Sequence, residues 1–508
     1  MTMARGGFGR LRAFVHGGPA TTIGARLARL LPSSNSARVM KSDAREALSR
    51  SRGWWRKLLN RGNALPESEA RRHAESRARH AISLCHALYS ERGEVSGARL
   101  ARETIAAYQL LDAAGRATFF DLLVEEFSPD PETVGRAAQH YRDDPSQFNL
   151  IELQKAAEPA RQELFRRLNM APGGTAVLVD MRRQLLGGLH DNPQWSGIDV
   201  DFLHLLRSWF NRGFLGLQRI EWQAPASVLE KLMKYEAVHP IQGWSDLRRR
   251  LQADRRCYAF FHPALPNEPL IFMEVALTKG IATNVRPLLD PAVPVGDPDA
   301  ADCALFYSIT NCQLGLRGVS FGNFLIKQVA EELASELPRI RTFATLSPIP
   351  GFRPWLSTTV ASSTPEEASL TALLERSDWA DDATISDELR GQLVPLCAYY
   401  LLHARQGQEP LDPVARFHLA NGAHLERLNW LADNSPTGLR QSCGLMANYV
   451  YRTGDIESNH EAFVRDHAIV ASRRVQQLAA RSLLAARKPP ASSEVGEDKT
   501  ITAEAAAS

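Results

Sequence analysis

Apolar residues in the N-terminal half of the chain recur at the spacing of an α-helix. Between Ser96 and Phe127 the large apolar residues recur at roughly helical spacings, as expected for buried helical faces: Leu100, Ile105, Leu110, Leu111, Phe119, Phe120 and Leu123. The Pro129-Asp130-Pro131 segment and the Asp144-Pro145 pair interrupt this pattern and predict helix boundaries. Residues 43–214 are therefore predicted to form an all-α domain, of a kind that packs, caps or oligomerises.

The pattern changes near Leu215, where short apolar runs typical of β-strands begin. We predict strands over 215–222, 257–261, 270–278, 303–310 and 340–345. Helices are predicted over 226–236 and 244–251, and from about Ser320. That last helix has one apolar face, because its large apolar residues lie four apart: Phe321, Leu325, Val329, Leu333 and Leu337. This order is that of a GNAT-type acetyltransferase domain. The predicted fold is α+β, with a helical domain followed by a GNAT-like mixed α/β domain over 215–484.

One loop of the second domain has the character of a phosphate site. The segment Arg317-Gly318-Val319-Ser320-Phe321-Gly322 lies between a predicted strand and a predicted helix. A phosphate bound there would meet free backbone N–H groups and the positive end of the helix dipole. The GNAT pyrophosphate loop reads Gln/Arg-x-x-Gly-x-Gly/Ala, and Ser320 replaces its middle glycine. Taken alone, without the surrounding strand order, the segment is more typical of a plain strand-to-helix turn than of a phosphate site.

Composition and charge exclude several classes of function. The chain has 508 residues and a net charge of +3, which is long enough for two or three domains and too balanced for a nucleic-acid binder. No apolar run approaches the length of a membrane span. The six cysteines form no Cys-x-x-Cys pair, so neither a disulfide framework nor a zinc knuckle is expected.

Both ends of the chain are predicted to lie outside the folded domains. Residues 1–42 contain basic residues and serines but no acid. This composition fits a mitochondrial transit peptide and a disordered basic extension of a bacterial protein equally well. The expected location is therefore cytoplasmic if the chain is bacterial, with the mitochondrial matrix as the alternative. The polar, Ala-rich tail over 485–508 is predicted to be disordered.

Longer motifs resemble one particular enzyme family. They are HPALPNEPLIFMEVALT (262–278), FYSIT with GLRGVSFGNFLIK (within 306–327), ATLSPIPGFRPWL (344–356) and FHLANGAHLERLNWLADNSPTGLRQSCGLMANYVY (417–451). Together they are similar to malonyl-CoA decarboxylase. The resemblance is strong from about Leu215 to Arg452, whereas the helical half resembles that family only in its general character.

The resemblance implies a set of site residues. The family's catalytic serine, in its Leu-Ser-Pro-Ile-Pro-Gly-Phe motif, corresponds to Ser347, and its catalytic histidine, in Phe-His-Leu, corresponds to His418. Its CoA phosphate loop corresponds to Arg317, Gly318, Val319, Ser320, Phe321, Gly322 and Asn323. The family also implies a homo-oligomer, a dimer or a tetramer, formed through the helical domain. It implies a role in fatty acid and malonate metabolism. It implies no metal and no organic cofactor.

The expected reaction converts malonyl-CoA to acetyl-CoA and CO2 through a thioester enolate. Because the thioester accepts the electron pair, the enzyme must only hold CoA, orient the carboxylate, stabilise the enolate oxygen and protonate carbon. Ser347 is expected to orient the carboxylate, and His418 to protonate the carbon, since the ordinary pKa of histidine lies near neutrality. Backbone N–H groups are expected to stabilise the enolate oxygen. We leave Asn421, Asn429 and Asn448 without assigned roles.

Two other functions remain open from the sequence. The first is a GNAT-type acyl-CoA N-acyltransferase, because one fold supports several reactions; Glu274, on the third strand, would be its candidate base. The second is a non-catalytic acyl-CoA sensor, whose helical domain would contact a partner. The presence of Ser347 and His418 together in their family motifs disfavours the sensor.

Overall fold

The computed structural model describes residues 67–319, 321, 325–360 and 364–485. The predicted basic extension over 1–42 lies outside this part of the chain. So does the predicted tail, apart from its first residue. All six cysteines are described, and they are buried and unpaired.

The first part of the described chain is helical, as predicted. Within the described residues, eight α-helices precede the first strand: α1 Glu67–Ser90, α2 Glu94–Gln109, α3 Ala113–Phe127, α4 Pro131–Asp143, α5 Gln147–Ala157, α6 Ala160–Asn169, α7 Gly174–Gly188 and α8 Ser196–Trp209. Side chains cap several of them, for example Asp130, which accepts from Thr133 N at the start of α4. The helix boundaries predicted around Pro131 and Pro145 are confirmed.

Strands and helices are interspersed after this region. The strands are β1 Gly216–Ile220, β2 Arg255–Phe261, β3 Ile271–Thr278, β4 Cys303–Asn311, β5 Thr342–Thr345, β6 Ser347–Pro348, β7 Arg405–Gln406, β8 Glu409–Pro410, β9 His424–Asn429 and β10 Met446–Tyr451. The helices are α9 Ala226–Tyr235, α10 Trp244–Arg250, α11 Arg286–Leu289, α12 Leu325–Glu336, α13 Phe352–Thr359, α14 Pro365–Glu375, α15 Ala383–His403, α16 Pro413–Ala420, α17 Pro436–Ser442, α18 Ile456–Asp466 and α19 Arg473–Ala480.

The predicted element order and the mixed α/β fold class are confirmed, and the observed bounds shift some elements. The strand predicted over 215–222 is shorter, at 216–220. The last of the predicted helices is described from Leu325, and Phe321 is buried but precedes that point. The short helix α11, between β3 and β4, was not predicted. The division of the chain into domains at 214/215 remains a prediction, because one hydrophobic core contains residues from both sides, such as Phe202 and Phe306.

A mixed sheet forms the framework of the second region. Its strand order is β1-β2-β3-β4-β5-β10-β6, and β9 pairs with β10. Neighbouring strands are antiparallel except for β4 and β5, which run parallel over Cys303–Phe306 and Thr342–Thr345. Strand β4 continues to Asn311, whereas β5 ends at Thr345. The sheet therefore opens between β4 and the chain that follows β5.

Strand β10 lies on the far side of this opening, beyond β5. It pairs with β5 through Val450 and Tyr451 and with β6 through Met446 and Ala447. On the near side, the register of β4 against β3 shifts between Phe306 and Ser308, so Tyr307 is an extra, bulged residue. A bulge bends a strand and re-aims its side chains, which helps β4 diverge from β5.

Asn448 stabilises the end of β5 through side-chain hydrogen bonds. Its side chain is fully buried and donates to Thr345 O at 2.8 Å and Ala282 O at 3.1 Å. Its Oδ1 accepts from Asn429 Nδ2 at 2.8 Å and from Arg427. Satisfied buried networks of this kind fix a unique local geometry, so Asn448 and Asn429 support the sheet beside its opening.

We predict that Asn448→Ala lowers the free energy of unfolding by roughly 2 kcal/mol or more, because buried donors and acceptors lose their partners. Urea denaturation measures this change. The exposed Asn434→Ala control should change it by less than about 0.5 kcal/mol. Equal effects of the two substitutions would contradict a bracing role for Asn448.

Candidate active site

A cavity of about 220 Å³ lies at the opening of the sheet. Its walls come from the divergent half of β4, from β6 and from α16. Its lining includes Tyr307, Ser308, Ile309, Ser347, Phe417 and His418. Ser347 and His418, which were predicted as a catalytic pair from distant motifs, therefore share one cavity.

Ser347 is held at the start of β6, two residues beyond the end of β5. It is 6% exposed and pairs with Ala447 of β10. Its hydroxyl donates to Thr345 Oγ1 at 2.8 Å. Pro348 and Pro350 follow it and restrict the backbone of the turn. The serine hydroxyl is consequently presented to the cavity from a rigid segment.

His418 reaches the same point from α16. Asp412 caps this helix by accepting from Val414 N and Ala415 N. The imidazole is 3% exposed and stacks on Tyr449 at 4.6 Å between ring centroids. Its Nε2 lies 2.9 Å from Ser347 Oγ. This contact joins the two predicted residues directly.

Tyr451 completes the arrangement, and the sequence did not single it out. Its hydroxyl lies 2.8 Å from His418 Nδ1, which is the only partner the described part of the chain gives it. If the phenol O–H donates to Nδ1, the imidazole hydrogen must sit on Nε2 and point at Ser347 Oγ. The chain Tyr451–His418–Ser347–Thr345 is then fully satisfied. The clue available in the sequence was the alternation of Met446–Tyr451, which aims Tyr449 and Tyr451 to one face.

Burial keeps the histidine neutral. It lowers the pKa of His418 to about 3 and raises the pKa of Tyr451 well above its ordinary value. The expectation that His418 titrates near neutrality is therefore wrong. At neutral pH the cavity contains an uncharged imidazole hydrogen-bonded to two hydroxyl groups.

The predicted phosphate loop is described in part. Arg317 and Gly318 are exposed, Val319 and Phe321 are buried, and Gly318 has a φ of +82°. Ser320, Gly322 and Asn323 lie outside the described residues. None of the described loop residues lines the cavity of Ser347 and His418. The loop is thus a separate feature, which precedes α12.

Glu274 is not placed to act as a base in this cavity. It is 1% exposed, and its carboxylate accepts from Arg250 Nη1 at 2.9 Å. It does not line the cavity. Its role in the fold is that of a buried ion-pair partner, so the feature that favoured an N-acyltransferase is removed.

Within the described ranges, no group of three or more His, Cys, Asp or Glu residues is arranged to hold a metal ion. No helix in the described part of the chain is long and apolar enough to cross a bilayer.

The fold and the site together define a mixed α/β enzyme with an N-terminal helical region, in which the sheet opening holds a buried serine–histidine pair. The family model described as malonyl-CoA decarboxylase C-terminal domain matches residues 213–491, and the corresponding N-terminal domain model matches residues 127–210. The chain belongs to the malonyl-CoA decarboxylase family, and it is accordingly a carboxy-lyase that acts on malonyl-CoA.

Individual relatives agree with this assignment. The mitochondrial malonyl-CoA decarboxylase of Anser anser anser is 36% identical over 415 residues, covering 74% of this chain and 82% of that protein. The crystal structure of malonyl-CoA decarboxylase from Rhodopseudomonas palustris is 50% identical with a TM-score of 0.77, covering 79% of this chain and 99% of that one. The structure from Agrobacterium vitis is 47% identical with a TM-score of 0.75, with the same two coverages.

The depressed pKa of His418 predicts a pH dependence. Because the imidazole stays neutral, kcat should be flat between about pH 6 and pH 8 at saturating malonyl-CoA. The unfolded chain binds this proton first, so stability should fall as the pH drops from 6.5 toward 3. Measurement of kcat as a function of pH tests the flat profile. A loss of activity on deprotonation with an apparent pKa near 6.5 would contradict the neutral imidazole.

Proposed function

We propose that the cavity at the sheet opening is the site where malonyl-CoA loses CO2. The observation that carries this proposal is the 2.9 Å contact between Ser347 Oγ and His418 Nε2 inside that cavity. The contact joins a hydroxyl that can orient a carboxylate to an imidazole N–H that can supply a proton.

The malonyl carboxylate binds against Ser347. No lysine, arginine or carboxylate is among the described residues that line the cavity, so the substrate anion meets hydroxyl, amide, imidazole and apolar groups. The Ser347 hydroxyl turns from Thr345 and donates to the carboxylate, which fixes the angle of the breaking bond to the thioester plane. The apolar walls favour neutral CO2 over the charged carboxylate.

The bond between C2 and the carboxylate then breaks, and its electron pair moves into the thioester. The enolate oxygen needs hydrogen-bond donors at that moment. We assign this role to backbone N–H groups of β4 between Tyr307 and Ile309. This stretch lines the cavity, contains the bulge and has left its parallel partner β5.

His418 supplies the proton for C2. Once CO2 has left, the Ser347 hydroxyl faces C2 and passes its proton on, while His418 Nε2–H replaces it. A neutral imidazole suffices because the enolate carbon is a much stronger base than an alkoxide or an imidazolate. Neutral imidazole serves other enzymes as a hydrogen-bonding acid. The Tyr451 hydroxyl on Nδ1 stabilises the charge left on the pair until solvent neutralises it.

We propose that the loop from Arg317 to Asn323 holds the diphosphate of CoA. The loop immediately precedes α12, so the dipole of that helix favours an anion at its start. Gly318 adopts a positive φ there, a conformation in which a side chain would be strained. Arg317 is exposed and offers a cation.

We propose a homo-oligomer, dimer or tetramer, in which the helical region forms the contact. Helices α4 and α5 contain no buried residue. On α5, Phe148 is 70% exposed and Ile151 is 39% exposed. They lie three positions apart on one helical face. An apolar face of this kind is typical of a protein–protein contact.

The cellular role that we propose is fatty acid and malonate metabolism. The location remains cytoplasmic if the chain is bacterial, with the mitochondrial matrix as the alternative. The acid-free segment over 1–42 is the feature on which that choice depends.

The catalytic roles predict the effect of His418→Ala. With EDTA present, the wild-type chain should convert malonyl-CoA to stoichiometric acetyl-CoA and CO2. The variant should lose about 10²-fold or more in kcat, since proton transfer is impaired. Liquid chromatography of the CoA thioesters measures acetyl-CoA formation by the wild-type chain and by the variant.

The matched control is His262→Ala, which removes another buried imidazole and should keep near-wild-type kcat. Full activity of His418→Ala would contradict the assigned proton donor. Binding without turnover by the folded wild type would contradict the placement of the reaction.

The oligomer proposal predicts that Phe148→Ser lowers the mass of the assembly, because it removes apolar area from the contact. Light scattering after size exclusion measures this mass. Leu314→Ser, at a 65% exposed site outside the helical region, serves as the control. An unchanged mass for Phe148→Ser would show that α5 is not in the contact.

A further inference from the structure

Arg182 connects the helical region to the loop that precedes α12. It stands on α7 and is 2% exposed. Its Nη1 donates to Gly315 O at 2.8 Å and to Arg317 O at 2.7 Å, and its Nε donates to Asp199 at 2.8 Å. A buried guanidinium from the helical region thus donates to two backbone carbonyls of the loop.

The packing around these bonds is close. A Cβ added to Gly315 would lie 1.9 Å from Val179 O on the same helix, so the loop backbone rests directly on α7. From α8, Arg207 Nη2 donates to Gly318 O at 3.4 Å. Two helices of the helical region therefore determine the path of the chain from Gly315 to Gly318.

These contacts fix the direction of one backbone donor. In a trans peptide the N–H points opposite to the carbonyl of the same unit. Since Arg317 O faces Arg182, the Gly318 N–H points away from α7. Within the described residues it donates to no backbone or side-chain acceptor. The neighbouring Arg317 and Val319 N–H groups are already bonded, to Leu314 O and Leu316 O.

We infer that Arg182 is a positioning residue for CoA, which holds the 315–318 backbone so that the Gly318 N–H meets the diphosphate of the substrate. The inference rests on the proposed diphosphate role of the 317–323 loop and extends it to the helical region. Arginine suits the task because its rigid planar donors can satisfy two carbonyls and a carboxylate together.

The decisive experiment compares malonyl-CoA with malonyl-pantetheine, which lacks the diphosphate. Arg182→Met should raise the KM for malonyl-CoA about tenfold or more, with kcat changed less than about threefold. It should leave kcat/KM for malonyl-pantetheine within about twofold of wild type. Calorimetry with CoA as the probe should show the same loss of affinity.

Arg161→Met is the matched control. Arg161 is 6% exposed in the same helical region and pairs with Asp201 and Ser128, not with the loop. It should lower the thermal midpoint without a selective effect on malonyl-CoA. If Arg182→Met does not fold, Arg182→Lys provides the test, because an ammonium lacks the planar fork. Its KM for malonyl-CoA should rise about threefold or more, again without an effect on malonyl-pantetheine.

Equal losses with both substrates, or an unchanged KM for malonyl-CoA, would overturn the inference. Arg317→Ala separates this failure from that of the loop proposal. If Arg317→Ala weakens CoA binding and Arg182→Met does not, the loop binds diphosphate without help from Arg182. If neither variant weakens CoA binding, the loop proposal itself fails.

Discussion

The divergence of β4 from β5 is the constraint on which the site depends. The two strands pair in parallel only as far as Phe306 and Thr345, and β10, which lies on the other side of β5 from β4, pairs with both β5 and β6. One wall is thus bulged β4 backbone, and the other presents Ser347. Without this opening the sheet would be continuous, and neither the serine nor the histidine would face a cavity.

Shielding of the site residues from solvent is the second property that the opening creates. Ser347, His418 and Tyr451 are all buried, and burial lowers the pKa of His418 to about 3. The same low dielectric that makes an imidazolium costly also strengthens hydrogen bonds to a developing enolate. A neutral relay and an uncharged cavity therefore suit a reaction that converts a carboxylate into CO2.

Much of this architecture could be predicted from the sequence, and the rest depends on contacts between distant elements. Helical period and prolines located the helices around Pro131, and apolar runs located β3 and β4. Motif resemblance singled out Ser347 and His418. Tyr451 was missed because its role appears only when β10 lies against α16, which carries His418. The pKa of His418 was misjudged because burial is not visible in a lone Phe-His-Leu motif. The hydrogen bonds of Arg182 to the loop were also missed, because they join residues far apart in the chain.

The most direct test is a crystal structure with a malonyl-CoA analogue in which a sulfonate replaces the carboxylate and blocks loss of CO2. We predict the sulfonate within hydrogen-bond distance of Ser347 Oγ. The thioester oxygen should face the β4 backbone between Tyr307 and Ile309. An acyl group bound outside the opening between β4 and β6, with Ser347 still bonded to Thr345, would contradict the central claim.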